Sequence, residues 1–354
     1  MRPAAASGSE HPDLAVAVGE VVGHIHETIG GEPDLALVLV DGPRATDLSS
    51  AARSVHALLR PRQLVAACGP LIATGGRLLG PGALVAAAIR HDGLVGLDVS
   101  LEAPVGERLT ASSNILAVST GDEAVSDPRL ILSSVFGSPI RPIVVDETGT
   151  ASSPDSVAVG FPAAVASVAK GTGWIDVGPP AIATSAAGTR LTTLDGVPVR
   201  SLLIDRLQLD DPEAEGGSER LPMLRICRVD ETGSRFMPVE SVGGPSDGVR
   251  LTGPVSEGDL LQLQRHDPEA AVAELVRDVR RLDHRSPSAI LVSSTLEAVV
   301  LDSLTTKLYG AASGSAIVGM FDPVDGAAAA DSGSTARSPD PWPRVDALII
   351  LPEQ

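Results

Sequence analysis

The stretch GPPAIATSAAGTRLTTLDGVP, Gly178 to Pro198, decides how the chain is read. Ile182 and Thr184 lead into Ser185-Ala186-Ala187-Gly188, and Leu191 and Leu194 return on the other side. Gly188 supplies the positive φ that a tight turn requires, so the segment reads as a β-hairpin. A second turn signal, Asp195-Gly196, ends it. Pro198 then suits the first turn of a helix in VPVRSLLIDRLQL, with Leu202, Leu203 and Leu207 on one stripe.

Upstream of the hairpin the chain alternates helix and strand. After a loose tail over residues 1–8, Asp13 caps a helix whose apolar residues Leu14, Val18, Val21, Val22, Ile25 and Ile29 recur at helical spacing. Leu35 to Val40 is a continuous apolar run of strand length. Thr46 or Asp47 caps a second helix, closed by Pro61. Leu64 to Gly69 is a further buried strand that runs into the glycine-rich loop PLIATGGRLLGPG. From Ala83 onward strand-like runs follow one another, which excludes a purely parallel sheet. A helix is expected from Asp127 to Phe136 and strands from Pro142 to Val145, Ser156 to Phe161 and Val165 to Ala169.

Downstream, residues 210–220 are polar and acidic and read as a surface loop. Strands at Met223 to Val229 and Asp259 to Arg265 precede a helix from Asp267 or Pro268 to Leu282. A strand from Ala289 to Ser293, a helix from Thr295 to Leu308 and strands near Ser315 to Met320 and Val345 to Leu351 complete the pattern. The two halves share a loose similarity of organisation without a short repeat. The fold class is therefore α/β or α+β, with mixed, largely antiparallel sheets covered by helices, in two domains, residues 9–197 and 198–354.

Composition narrows the function. The chain has 354 residues and a formal net charge of −18, with Lys170 and Lys307 as its only lysines. A polyanion is repelled by such a surface, so neither nucleic acid nor an anionic membrane is an expected partner. Cys68 and Cys227 are the only cysteines, too few for a disulfide framework or a four-ligand zinc site. The N-terminus lacks the apolar run of a secretory signal, and a cytoplasmic location is expected.

Few side chains suggest bond-making chemistry. His24 and His26 stand two apart on a helix, about 200° around its axis, and so cannot share a metal. Gly244-Pro245-Ser246-Asp247-Gly248 matches G-x-S-x-G, with His266 and His284 downstream, yet a strand-like run follows where the nucleophile elbow demands a helix. Thr74 to Gly80 lacks the spacing and the lysine of a P-loop, so Gly75 and Gly76 favour turn formation over phosphate binding. Cys68 follows an apolar strand, where a thiol usually packs inertly. Arg77, Arg190 and Glu297 are the charged residues nearest the loops expected to face a pocket. No metal and no cofactor is expected.

Extended to GWIDVGPPAIATSAAGTRLTTLDGVPV, Gly173 to Val199, the opening stretch resembles the junction of FIST (F-box and intracellular signal transduction) proteins, in which a G-P-P run precedes a hairpin and an L-D-G-x-P turn. LVAACGPLIATGGRLL, Leu64 to Leu79, is similar to that family's strand followed by a glycine loop. GPVSEGDLLQLQRHDPEAAVAELV, Gly253 to Val276, is similar to its later strand-to-helix passage. The resemblance runs from about Pro33 to the C-terminus. Family members usually carry a cysteine and a Gly-Arg pair after the late strand, where this chain has Leu291-Val292-Ser293-Ser294-Thr295-Leu296-Glu297. They also tend to carry a Gly-Glu pair where this chain has Ile317 to Pro323.

The resemblance implies a non-enzymatic, cytoplasmic sensor that binds a small ligand of the amino-acid class and signals through a separate partner protein. Its expected ligand-binding residues are Cys68, Gly75, Gly76, Arg77, Arg190, Ser293, Ser294 and Glu297. Two alternatives stay open: a scaffold on the same fold that has lost ligand binding, and a serine hydrolase built on Ser246.

Overall fold

The computed structural model describes residues 2–91, 99–100, 114–119, 130–135, 140–154, 156–162, 165–207, 223–230, 233–243, 248–282, 287–294, 296, 298–312, 315–321 and 345–351. The chain begins with a strand, β1 (Ala4–Ser9), where a loose tail was expected. Ala4 and Ala5 are buried, and the strand finds an antiparallel partner whose pairing outweighs the weak strand preference of AAASGS.

Helix α1 (Leu14–Ile29) starts where Asp13 accepts hydrogen bonds from the Ala15 and Val16 amides, and ends at Gly30 in the left-handed region. The strand β2 (Leu35–Asp41) is buried along its whole length. A 3-10 turn, Gly42–Asp47, follows with Pro43 near its start, and α2 (Leu48–Leu59) continues from it. Asp47 takes the expected N-cap position of α2 at the end of this turn, but its side chain makes no cap bond. Strand β3 (Gln63–Gly69) returns parallel to β2.

The expected glycine loop after β3 is a hairpin, β4 (Leu71–Thr74) and β5 (Arg77–Leu78). Ile72, Ala73 and Thr74 are buried, and Gly75 and Gly76 both have positive φ (58° and 82°), the geometry of a two-residue turn that twists with its strands. β6 (Leu84–Ile89) then pairs antiparallel with both β2 and β1.

β7 (Val99–Ser100), β8 (Asn114–Ser119) and β9 (Leu130–Val135) come next, then β10 (Ile143–Val145), β11 (Ala151–Ser152), β12 (Ser156–Phe161) and β13 (Ala166–Gly171). Leu130–Val135 is a strand parallel to β8, where a helix was expected. Pairing overrides helical spacing in this short apolar run. β7, β8, β9 and β12 form a four-stranded sheet.

Gly173–Ala270 is a compact unit of its own. Its elements are β14 (Trp174–Asp176), β15 (Ala181–Ala187), β16 (Arg190–Leu194), β17 (Val197–Pro198), α3 (Val199–Leu207), β18 (Leu224–Asp230), β19 (Gly233–Val242), β20 (Val249–Leu251) and β21 (Leu260–His266). The order β15-β16-β20-β19-β18-β21 closes on itself because β21 pairs with β18 on one side and β15 on the other. Closure leaves this barrel without a free edge along those strands. The opening hairpin is present as β15 and β16 with Gly188 at φ 60°, and Asp195-Gly196, at φ 50° and 78°, is the second turn.

The other unit comprises Met1–Thr172 and Ala271–Gln354, so it is interrupted by the barrel. The expected boundary at residue 197 falls inside the barrel: β16 pairs with β17 across it, Leu194 with Val197 and Thr193 with Pro198. After the barrel come α4 (Pro268–Arg281), β22 (Ala289–Ser294), α5 (Ala298–Ala311), β23 (Ala316–Phe321) and β24 (Val345–Ile350).

This interrupted unit holds a four-layer sandwich. One six-stranded sheet runs β1-β6-β2-β3-β10-β11 and the other β13-β24-β22-β23-β4-β5. Leu37, Leu39 and Val85 of the first pack with Leu291, Val318 and Leu348 of the second in one core. α1 and α2 bury Val21, Ile25 and Val55 on the outer face of the first sheet, and α4 and α5 bury Leu275 and Leu301 on that of the second. The fold is α+β with mixed, largely antiparallel sheets covered by helices, in two units. Among the described residues the parallel pairings are β2 with β3, β22 with β23 and β8 with β9.

Candidate functional site

Parallel strands point their carboxyl ends at one edge of a sheet, and open α/β sheets bind ligands there. β3 leaves its sheet at Gly69, where an added Cβ would stand 2.5 Å from Met320 Cγ near the end of β23. The carboxyl ends of both central parallel pairs therefore meet at the same end of the sandwich.

Buried charges at that end include Asp41 and Arg44, with Asp346 as a further one on the strand beside Ser293. Asp41 is the last residue of β2 and Arg44 sits in the following 3-10 turn, each 4% exposed. The Gly82 amide donates to Asp41 Oδ2, and Arg44 Nε donates to the Gly82 carbonyl. Arg44 Nη2 donates to the His11 carbonyl. Glu10 Oε1 accepts from the Gly80 amide at 2.7 Å. Behind them, Cys68 Sγ lies 3.6 Å from the Asp41 carbonyl.

Asp41 Oδ1 and Arg44 Nη1 are buried and find no hydrogen-bond partner among the described residues. A buried polar atom without a partner costs about 1–3 kcal/mol, more when charged, so each such atom asks for an explanation. The chemistry available is one carboxylate acceptor and one guanidinium donor, reaching the amide and the carbonyl of Gly82 respectively. They suit a polar species that carries its own donor and acceptor.

The expected site residues divide into separate groups. Cys68 belongs to the locus of Asp41 and Arg44 as a buried thiol, 5% exposed. Gly75 and Gly76 form the β4–β5 turn, with Gly76 packed beneath Tyr309, and Arg77 is exposed beside them. Ser293 and Ser294 end β22; the Ser294 hydroxyl accepts from the Leu296 amide at 3.0 Å. Glu297 lies outside the described residues. Arg190 is exposed on β16 of the barrel, opposite Arg250.

Ser246 and His284 also lie outside the described residues. His266 packs edge-on against Trp174, with ring centroids 5.4 Å apart. His24 and His26 are exposed, and His26 Nε2 lies 3.1 Å from the Leu58 carbonyl. Among the described residues no group of three His, Cys, Asp or Glu side chains is placed to hold a metal. None of their helices is long and apolar enough to cross a membrane.

A gap beneath α3, lined by Leu194, Leu203, Ile226 and Leu263, measures about 10 Å³. One water needs roughly 10–15 Å³ and two or more polar partners, so this apolar gap is packing space.

One carboxyl is electrostatically distinct. The Thr148 hydroxyl and the Thr150 and Thr148 amides hold the exposed Asp146 carboxyl below its ordinary range, with a smaller contribution from His56.

Asp41 and Arg44 were not singled out from the sequence. The usable signal is LALVLVD followed by Gly-Pro-Arg: a charge directly at the end of a fully apolar strand, then a proline-started turn with a second charge. Compared with known proteins, the sequence matches no family profile and no characterised protein.

Proposed function

We propose that this chain is a non-enzymatic, cytoplasmic sensor of the FIST type, which takes up a small ligand of the amino-acid class at the carboxyl ends of its parallel strands. A separate protein then reads the bound state. The observation that carries this reading is the pair of unpartnered buried atoms, Asp41 Oδ1 and Arg44 Nη1. A ligand bearing an ammonium and a carboxylate matches one carboxylate and one guanidinium in charge and in hydrogen-bonding sense. The likeness of Gly173 to Val199 to the FIST junction is consistent with it.

A second reading, a scaffold without ligand binding, also has an observation in its favour. Asp41 and Arg44 both bond Gly82 and so have a structural role that needs no ligand. Thermal-shift measurements over the amino acids and small carboxylates separate the two. A ligand that binds only the folded state at a hundredfold excess over its Kd adds about 2.7 kcal/mol, enough to raise the melting temperature by several degrees. The sensor reading requires such a rise for at least one compound, and the scaffold reading requires none.

A further inference from the structure

Two helix starts carry related sequences. DLAVAVGEVV, Asp13 to Val22, and DPEAAVAELV, Asp267 to Val276, share Asp at the cap, then Ala-Val, then Glu, then Val at the same spacing. Their local bonding is also the same. Asp13 Oδ1 accepts from the Ala15 and Val16 amides, and Asp267 Oδ1 from the Glu269 and Ala270 amides. Glu20 Oε2 accepts the Ser9 hydroxyl at the end of β1, and Glu274 Oε2 accepts the Thr172 amide just past the end of β13.

The correspondence extends through both sheets. Leu35 pairs with Gln63 and Ile89, and Ala289 pairs with Ala316 and Ile350. Ala4 pairs with Ile89, and Ala166 with Ile350. The loop bonds match too: the Asp34 amide reaches the Ile89 carbonyl as the Ser288 amide reaches that of Ile350, and the Arg90 amide reaches Pro3 as the Leu351 amide reaches Val165. Pro33 and Pro287 stand at the same place before β2 and β22. A shared strand order alone is a common solution to covering a sheet. Identical register, identical loop bonds and a shared helix sequence together point to one module used twice.

We infer that residues 3–90 and 165–351 are two copies of a single β-α-β-α-β-β module. The inner face of each copy's sheet is a self-association surface, and its partner is the second copy. The barrel is inserted in the second copy at the link between β13 and α4, which the first copy makes with Glu10–Asp13 alone. The first copy also donates the hairpin β4–β5 to the second copy's sheet, beside β23, while β10–β11 fills the matching position beside β3. The second copy's sheet is therefore incomplete without the first. In sequence Asp41 follows Val40, whereas Thr295 follows Ser294, the register equivalent of Val40; the carboxylate is confined to the first copy.

The test is to place a protease site between Phe161 and Val165 of the full chain and cleave the folded protein. The two pieces are expected to elute together at the mass of the intact chain. They should unfold in one transition whose midpoint rises with protein concentration, as for a folded state that exists only in association. Pieces that part in native buffer, each still folded, overturn the inference. Should the insertion itself block folding, hydrogen exchange on the uncut chain decides: the amides of Val38, Val65, Leu291 and Val318 are expected to exchange through one shared opening. Exchange of the first pair differing more than tenfold in protection from the second contradicts it.

Discussion

Asp41 and Arg44 hold opposite ends of the Gly82 residue: its amide donates to the Asp41 carboxylate, and its carbonyl accepts from the Arg44 guanidinium. The left-handed conformation of Gly82, φ 82°, is thus fixed by two buried charges that also leave one atom each unpartnered. Each charge is individually expensive to bury, so the arrangement stands or falls as a set.

Removing either charge should therefore destabilise the fold, and removing both should cost less than the sum. Arg44→Met is expected to lose about 1–3 kcal/mol, since it strips hydrogen bonds from the Gly82 and His11 carbonyls. Asp41→Asn should lose less, because an amide oxygen still accepts from Gly82. Urea denaturation of both single variants and the double variant measures this. Additive losses would contradict a shared set.

At the β4–β5 turn, Gly76→Ala should cost more than Gly75→Ala. Both positions have positive φ, but an added Cβ at Gly76 meets Tyr309 Cβ at 2.6 Å, whereas Gly75 faces open space. About 1 kcal/mol is expected for the conformational strain at each, with a further loss at Gly76 from displacing the tyrosine. Melting temperatures of the two variants give the comparison, and equal shifts would show that the ring yields freely.

The Asp146 carboxyl sits below its ordinary value of 3.8 in the folded chain, mainly through the Thr148 hydroxyl. A depressed acid binds its proton less readily when folded than when unfolded. Its contribution to stability is therefore present above the unfolded value and fades as pH falls through that value and then the folded one. Asp146→Asn should remove this part of the acid dependence, leaving a flatter stability profile below about pH 4. An unchanged profile would mean that the threonine contacts do not persist in solution.

If the helix glutamates are equivalent, Glu20→Gln and Glu274→Gln should have effects of the same sign and similar size. Each replaces a charged acceptor facing the end of a strand, and hydrogen bonds to a charged group contribute about 1.5–3 kcal/mol. A large loss at one position with none at the other would argue that the two links have diverged in role.

Much of this fold was legible from the sequence wherever the physical signal was local. The apolar run Leu35 to Val40 is a buried strand, Asp13 does cap α1, and the turns at Gly188 and Asp195-Gly196 are where glycine and aspartate allow positive φ. What failed depended on partners remote in sequence. Ala4–Ser9 is a strand because β6 lies beside it, and Leu71–Leu78 is a hairpin because β23, more than 200 residues later, offers an edge. A boundary at residue 197 rests on a turn signal, which a hairpin inside a barrel produces equally well. The candidate site was less legible still. Cys68 lies beside Asp41, but Asp41 and Arg44 look like ordinary turn residues until the structure brings Gly82 between them, and the two-copy relation hides behind the barrel inserted between β13 and α4.

In the proposed function, the strand ends around Asp41 and Arg44 receive a small amphoteric molecule. Isothermal titration of the purified full chain with individual amino acids tests it most directly. The expected result is saturable binding of at least one of them with a stoichiometry of one per chain, abolished in a folded Asp41→Asn variant. Heat signals indistinguishable from dilution for every amino acid, or binding that survives unchanged in that variant, would contradict it.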